Sequence, residues 1–169
     1  MVESRSRDLV ALMCDLKELH EELLSVIGQK LAAMRRADTD ALNSCLARER
    51  FLSDRIRQQE GLRQQLVRLM GQEIGLPAEA AQQLSLRDLA EELGEPRRAQ
   101  LLGLAASVRE VLAAIDRSNK VATLVTEEML KHFRRVYAAM ARAGHSAGTY
   151  SSGGELTTDR PARVFEAVG

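Results

Sequence analysis

Residues 96–143 read PRRAQLLGLAASVREVLAAIDRSNKVATLVTEEMLKHFRRVYAAMARA, and this stretch, which has no second proline, decides the fold. Its apolar residues recur at steps of three and four, which places them on one stripe of an α-helix. Pro96 suits the first turn of that helix, and Gly144 is placed to end it. A helix of about 45 residues is ~68 Å long and needs packing partners along its length. The stripe consists of Leu101, Leu104, Val108, Val111, Leu112, Ile115, Ala122, Val125, Met129, Phe133, Val136 and Met140.

The composition of the 169-residue chain indicates a helical bundle rather than a globular enzyme. Charged residues make up 28% and aromatic residues only 3%, there is no tryptophan, and good helix formers dominate. The 24 basic and 24 acidic residues balance, which argues against non-specific nucleic-acid binding. No apolar run is long enough to span a bilayer, and the first residues show no signal-peptide core. We therefore expect a cytosolic protein with no membrane span.

Two more long helices are expected before residue 76. Ser4 or Ser6 can cap the first, and Asp38 or Thr39 can cap the second. Because the break at residues 36–40 is short, the two helices are expected to lie antiparallel. The second is expected to end around residues 71–75. The first stripe comprises Leu9, Leu12, Leu16, Leu19, Leu23, Val26 or Ile27, Leu31 and Met34, and the second comprises Leu42, Cys45, Leu46, Leu52, Ile56, Leu62, Leu66, Leu69 and Met70.

Residues 76–95 predict a small helical elbow, because Ser85 and Asp88 have the spacing of a capping box. Cys14 and Cys45 are expected to lie roughly 25 Å apart along the hairpin, too far for a disulfide. After Gly144 the chain is rich in Gly, Ser and Thr, which predicts a flexible tail. The predicted fold is all-α: an elongated antiparallel bundle of three long helices with coiled-coil packing, the elbow and the tail. We assign residues 1–143 to the bundle and residues 144–169 to the tail.

The end of the last helix is expected to extend beyond the hairpin. An antiparallel alignment places residue 131 of the last helix opposite about residue 40 of the second. The stripe nevertheless continues through Phe133, Val136, Tyr137 and Met140. Exposed apolar surface of this kind marks a binding site for a helix or a groove of another protein. Alternatively, the start of the first helix or a second copy of the chain covers these residues.

The sequence contains no pattern that points to catalysis. His20, His132 and His145 do not form a zinc-like pattern with another ligand, and no phosphate loop or nucleophile elbow is present. Adjacent carboxylates such as Glu127 and Glu128 point to different helix faces. We expect no enzyme, no metal and no cofactor. Asn119, the one polar residue within the apolar stripe, would either fix helix register from a buried position or present its amide to a partner.

Several segments together resemble the FlgN family of flagellar export chaperones. The resemblance is sharpest in LAAIDRSN at residues 112–119, then in residues 124–125 and 129–137, which look like the family's Asn-containing C-terminal helix. The family commonly continues with a Gly/Ser-rich tail that contains a tyrosine, here TYSSGG at residues 149–154. The resemblance implies a cytosolic chaperone without ATPase activity.

Such a chaperone would bind the C-terminal helices of the hook–filament junction proteins FlgK and FlgL and deliver them to the export apparatus. An alternative from a different class is a structural coiled-coil protein that self-assembles into homo-oligomers through the same stripe. A nucleic-acid-binding regulator that uses Arg134, Arg135 and Arg142 is disfavoured by the neutral net charge. The predicted partner-binding residues are Asn119, Val125, Met129, Phe133, Val136, Tyr137, Met140 and Tyr150.

Overall fold

The computed structural model describes the backbone of residues 2–146 and the side chains of residues 3–142. It confirms the all-α class: within this range the chain forms helices and no strand. The helices are α1 (Val2–Arg36), α2 (Thr39–Glu73), α3 (Ala78–Gln83), α4 (Leu86–Leu93) and α5 (Arg97–Ser146). The chain divides into two compact units. The first ends at Thr123 and the second begins at Leu124, so the boundary between the two units falls within α5. The predicted division between residues 143 and 144 stays a prediction.

The turn between α1 and α2 has the predicted cap. Ala37 adopts a left-handed conformation with φ of 52° and ends α1. The Asp38 side chain then accepts a hydrogen bond of 3.0 Å from the Ala41 N–H, which satisfies one of the free donors at the start of α2. This two-residue connection leaves α1 and α2 antiparallel, and ion pairs link them at both ends, Arg5 to Glu73 and Lys30 to Glu49.

Two apolar clusters form the core of the first unit. In each cluster α1 packs against α2 and α5. The buried side chains of both clusters are mainly those of leucine, valine and isoleucine. The first cluster lies where α1 begins and α2 ends, so the start of α5 meets the end of α2, as expected for an antiparallel third helix. Its buried members are Leu9, Val10, Met13, Leu16, Val67, Met70, Leu89, Ala90 and Leu101. Those of the second are Leu19, Leu23, Val26, Ile27, Cys45, Leu52 and Ile115.

The elbow between α2 and α5 consists of α3 and α4. The Ser85 hydroxyl accepts the Asp88 N–H at 3.1 Å and donates to the Asp88 carboxylate at 2.6 Å, so the predicted capping pair is present. Leu89 and Ala90 are fully buried in the first core cluster, which fixes α4 against the long helices. Gly94 ends α4 with φ of 67°, a conformation that glycine adopts without strain.

Three local features differ from the predictions or sharpen them. α1 begins at Val2, so neither Ser4 nor Ser6 caps it; the Ser6 hydroxyl donates to the Glu3 carbonyl within the helix at 2.9 Å. α5 continues past Gly144 to Ser146, since one glycine costs a helix only about 1 kcal/mol and need not end it. Cys14 and Cys45 are both free thiols, as expected, and Cys45 is buried.

Candidate partner-binding face on α5

Burial along α5 stops at one residue. Leu101, Ile115 and Ala122 are at most 9% exposed and belong to the part of the helix that lines the core of the first unit. From residue 123 to residue 142 no side chain is buried. The alignment of the helices from sequence placed the end of packing at about residue 131. In the structure, burial along α5 ends about two turns earlier.

The second unit carries large apolar side chains that remain in water. Phe133 is 61% exposed, Tyr137 63% and Met140 68%, while Val136 is 43% exposed. With 100° per residue, these four side chains fall within about 100° of one another around the helix axis. They therefore form one apolar face of a surface helix, wide enough to contact another helix.

Val125 and Met129 lie on the same face and are half-buried. Val125 lies about two turns and Met129 about one turn before Phe133, so they continue the apolar face towards the start of the second unit. We call the surface formed by these residues and their exposed neighbours the α5 face; it consists of Val125, Met129, Leu130, Phe133, Val136, Tyr137 and Met140.

Leu130 is a member of the α5 face that sequence reasoning missed. It is 50% exposed and lies three residues before Phe133 and seven before Tyr137, a spacing that the helical period could have revealed. Leu124 is as exposed as Phe133, at 61%, but it projects from the opposite side of the helix. Exposure alone therefore does not assign a leucine of this segment to the α5 face. Its angular position around the helix axis does.

Charged side chains also lie on the described part of the second unit. Lys131 donates to the Glu128 carboxylate at 2.7 Å. This hydrogen bond lowers the pKa of Glu128 and raises the pKa of Lys131, so both groups stay charged around neutral pH. Within residues 124–142 the basic side chains outnumber the acidic ones by four to two, with Arg134 close to the edge of the α5 face. Short-range electrostatic attraction there would favour a partner with acidic residues beside its apolar stripe.

Asn119 and Tyr150 are the predicted site residues that are not part of the α5 face. The Asn119 side chain is exposed, so its interpretation as a buried register-fixing residue is wrong for this chain. The helical period puts Asn119 on the side of α5 that carries Leu101, but among the described residues after Ile115 only Ala122 is buried, so the amide lies where α5 has little packing against the rest of the chain. Its role in partner binding stays a prediction. Tyr150 lies outside the described residues.

Two kinds of feature are absent from the described part of the chain, a metal-binding cluster and a membrane-spanning helix. No group of three His, Cys, Asp or Glu side chains among them could hold a metal ion. Within the same part of the chain, no helix combines the length and the apolar character that crossing a bilayer requires.

A helical bundle whose last helix exposes a long apolar face belongs to the class of helical proteins that bind other proteins. The family model described as FlgN protein matches residues 1–158, and the chain belongs to the FlgN family. This confirms the resemblance found in the sequence. FlgN proteins are flagellar export chaperones rather than enzymes. Comparisons with curated proteins and with solved structures give no match.

Proposed function

We propose that this protein is a cytosolic type III export chaperone that binds the C-terminal helices of hook-associated proteins before their export. The observation that carries the proposal is the α5 face, on which Phe133, Tyr137 and Met140 are each more than 60% exposed. Leaving such side chains in water forgoes part of the free energy of burial, which is about 1.5–3 kcal/mol for a large apolar side chain that goes from full exposure to full burial. A partner that covers them recovers that free energy.

The chemistry of the face suits an amphipathic helix of a client. A client helix with leucines at steps of three and four would lay its apolar stripe along the α5 face, and both stripes would leave water together. Met129 and Met140 lie at intervals along the face. Because methionine is unbranched and flexible, these positions can adapt to the different side chains of FlgK and FlgL.

The free energy gained by burying the α5 face does not clearly exceed the free-energy cost of association, so we expect other contacts to contribute to binding. Because the four side chains are already partly covered, with 43–68% of each exposed, completing their burial would contribute roughly 3.5–7 kcal/mol, whereas association itself costs about 4–15 kcal/mol. Asn119 and Tyr150 are the further residues that we propose contact the client or the export apparatus. The amide of Asn119 can hydrogen-bond the backbone of a client, and Tyr150 can supply an aromatic contact with a polar end.

The direct test replaces two residues at the centre and the end of the face. We expect Phe133→Asp together with Met140→Asp to weaken binding to purified FlgK and FlgL by at least about a hundredfold, since two charges would enter an apolar interface. Because both side chains are exposed, the helical content measured by circular dichroism should equal that of the wild type. Isothermal titration calorimetry measures the affinity.

The matched control is Leu124→Asp together with Ala138→Asp. Both side chains are exposed but lie on the far side of α5 from the α5 face, so this variant should bind clients as the wild type does. Equal losses in both double variants would contradict a defined face. Loss of helicity in the first variant would show that Phe133 and Met140 belong to a core.

A self-assembling scaffold is the second candidate, because a second copy of the chain could also cover the α5 face. The two functions differ in the size of the free protein. A scaffold forms higher oligomers without any client, and Phe133→Asp with Met140→Asp would dissociate those oligomers. A chaperone stays small and forms a complex of defined size with its client. Light scattering coupled to size-exclusion chromatography separates these outcomes.

A further inference from the structure

A second apolar surface lies within the first unit, away from the α5 face. α1, α2, the start of α4 and the early part of α5 enclose a groove of about 600 Å³. Met13 and Leu16, each 3% exposed, form its floor. Its walls are half-buried apolar side chains that pack against the first core cluster: Ile56, Leu84, Leu86, Leu102, Ala105 and Val108.

The length of the groove matches a short helix. Along α5 it extends from Leu102 to Leu112, which is about 15 Å or three helical turns. Leu112 at the far end is 43% exposed, so the apolar lining continues to the surface. A segment of about ten residues in helical form would fit along this wall and place two or three apolar side chains on the floor.

The charges at the rim define the chemistry of the occupant. Glu60 and Arg63 lie on the rim and neutralise each other through two hydrogen bonds of 2.6 and 2.8 Å. Arg87 and Arg109 also line the groove and are exposed, and neither forms a salt bridge with a carboxylate in the described part of the chain. Arg109 donates its Nε–H to the Ala105 carbonyl at 3.1 Å, so within the described residues the rim carries two arginines without a carboxylate partner beside an apolar floor.

We propose that this groove binds an amphipathic helical segment of another protein that carries carboxylates beside its apolar stripe. Apolar side chains of that segment would displace water from the floor, and its carboxylates would pair with Arg87 and Arg109 at the rim. This inference does not rest on the client-binding proposal, because the groove shares no residue with the α5 face.

The test uses the full-length chain and a fluorescent designed peptide of about fifteen residues, with leucines at helical spacing flanked by glutamates. A second peptide has lysine at every glutamate position, and a third has the first peptide's composition in scrambled order. Fluorescence anisotropy should show binding of the acidic amphipathic peptide that exceeds binding of the other two by at least about tenfold. Equal binding of the acidic and scrambled peptides would overturn the proposal.

Two sets of variants locate the site. Arg87→Glu with Arg109→Glu should weaken the acidic peptide by about tenfold or more, whereas Arg7→Glu with Arg117→Glu, at exposed positions outside the groove, should change it little. Ala105→Phe fills the groove without a charge change and should abolish binding. Ala106→Phe, at the exposed neighbouring position, is its control. Binding that survives Ala105→Phe would mean that the peptide only contacts surface charge.

Two further outcomes would also overturn the inference. If Phe133→Asp with Met140→Asp abolishes peptide binding, the peptide occupies the α5 face and not the groove. If the free protein is a dimer that Arg87→Glu with Arg109→Glu dissociates, the occupant is a second copy of the chain. Because the client-binding test uses different residues, failure of either proposal can be recognised without reference to the other.

Discussion

At the scale of single residues, the pair Glu60 and Arg63 couples stability to pH. The bidentate hydrogen bond from Arg63 outweighs the effect of partial burial and lowers the pKa of Glu60 below its ordinary value of 4.5. The same contact raises the pKa of Arg63. A carboxylate whose pKa is lowered by folding stabilises the folded state above its unfolded pKa, and that contribution is lost as the pH falls through the folded pKa.

We therefore expect Glu60→Gln to lower the urea midpoint at neutral pH and to reduce the loss of stability on acidification below about pH 4.5. The wild type should lose more stability over that interval than the variant does. Urea denaturation followed by circular dichroism at neutral and acidic pH measures both values. Glu92→Gln, at an exposed position on α4, is the control and should follow the wild type. Parallel pH profiles for the wild type and Glu60→Gln would refute the role of this pair.

Local signals in the sequence identified individual caps but not every helix end. The cap by Asp38 and the pair formed by Ser85 and Asp88 follow from short-range hydrogen-bonding chemistry, so their prediction succeeded. Ser6 failed as a cap because the helix extends through it to Val2, and a serine can equally hydrogen-bond a carbonyl inside a helix. Gly144 failed as a stop for a similar reason, since its cost to the helix is small.

At the scale of the elements, two glycines of α2 lie in different surroundings. Gly61 is exposed, and a Cβ added there would meet nothing within 4 Å. Gly71 is buried, and a Cβ there would lie 3.0 Å from Leu84 Cδ2 and 3.2 Å from Ala81 Cβ. The absence of a side chain at Gly71 therefore lets the segment that contains α3 approach α2 closely.

We expect Gly61→Ala to raise the free energy of unfolding by about 0.5–1 kcal/mol, because alanine restricts the unfolded chain and favours the helix. Gly71→Ala should fall below Gly61→Ala by at least about 1 kcal/mol, because the helix gain is offset by crowding against Ala81 and Leu84. Urea denaturation of both variants at one pH gives the comparison. An equal gain at both positions would show that α3 can move away from α2 without cost.

The pairing of the elements was largely predictable, whereas the spaces between them were not. A two-residue break requires antiparallel α1 and α2, and the stripes on the long helices indicated most of the packed sides, although Leu46 and Leu62 of the second stripe are exposed. The groove beside Leu102 depends on how far apart α1, α2 and α4 are held, a tertiary quantity that no single stripe encodes. Leu86 of α4 is a half-buried wall of that groove.

At the scale of the whole molecule, the two units should differ in the stability of their backbone hydrogen bonds. The α5 amides up to Ala122 belong to a segment with buried side chains, whereas residues 123–142 bury none. Regions without buried apolar contacts open locally at low free energy, since helix propensity alone barely holds a segment of that length. In the free protein we therefore expect hydrogen exchange from residue 124 to residue 142 to be at least about tenfold faster than in residues 101–122. Hydrogen–deuterium exchange mass spectrometry measures both segments.

The same measurement separates the chaperone from the scaffold. If the α5 face is kept for a client, exchange in residues 124–142 should slow when FlgK or FlgL is added and should not depend on the concentration of the chain itself. A scaffold would give slower exchange as its own concentration rises, without any client, because a second copy would cover the same side chains. The variant Phe133→Asp with Met140→Asp should lose the client-dependent protection, whereas Leu124→Asp with Ala138→Asp should keep it. Strong protection of residues 124–142 in the dilute free protein would contradict both functions, because Phe133, Tyr137 and Met140 would then be covered within a single chain.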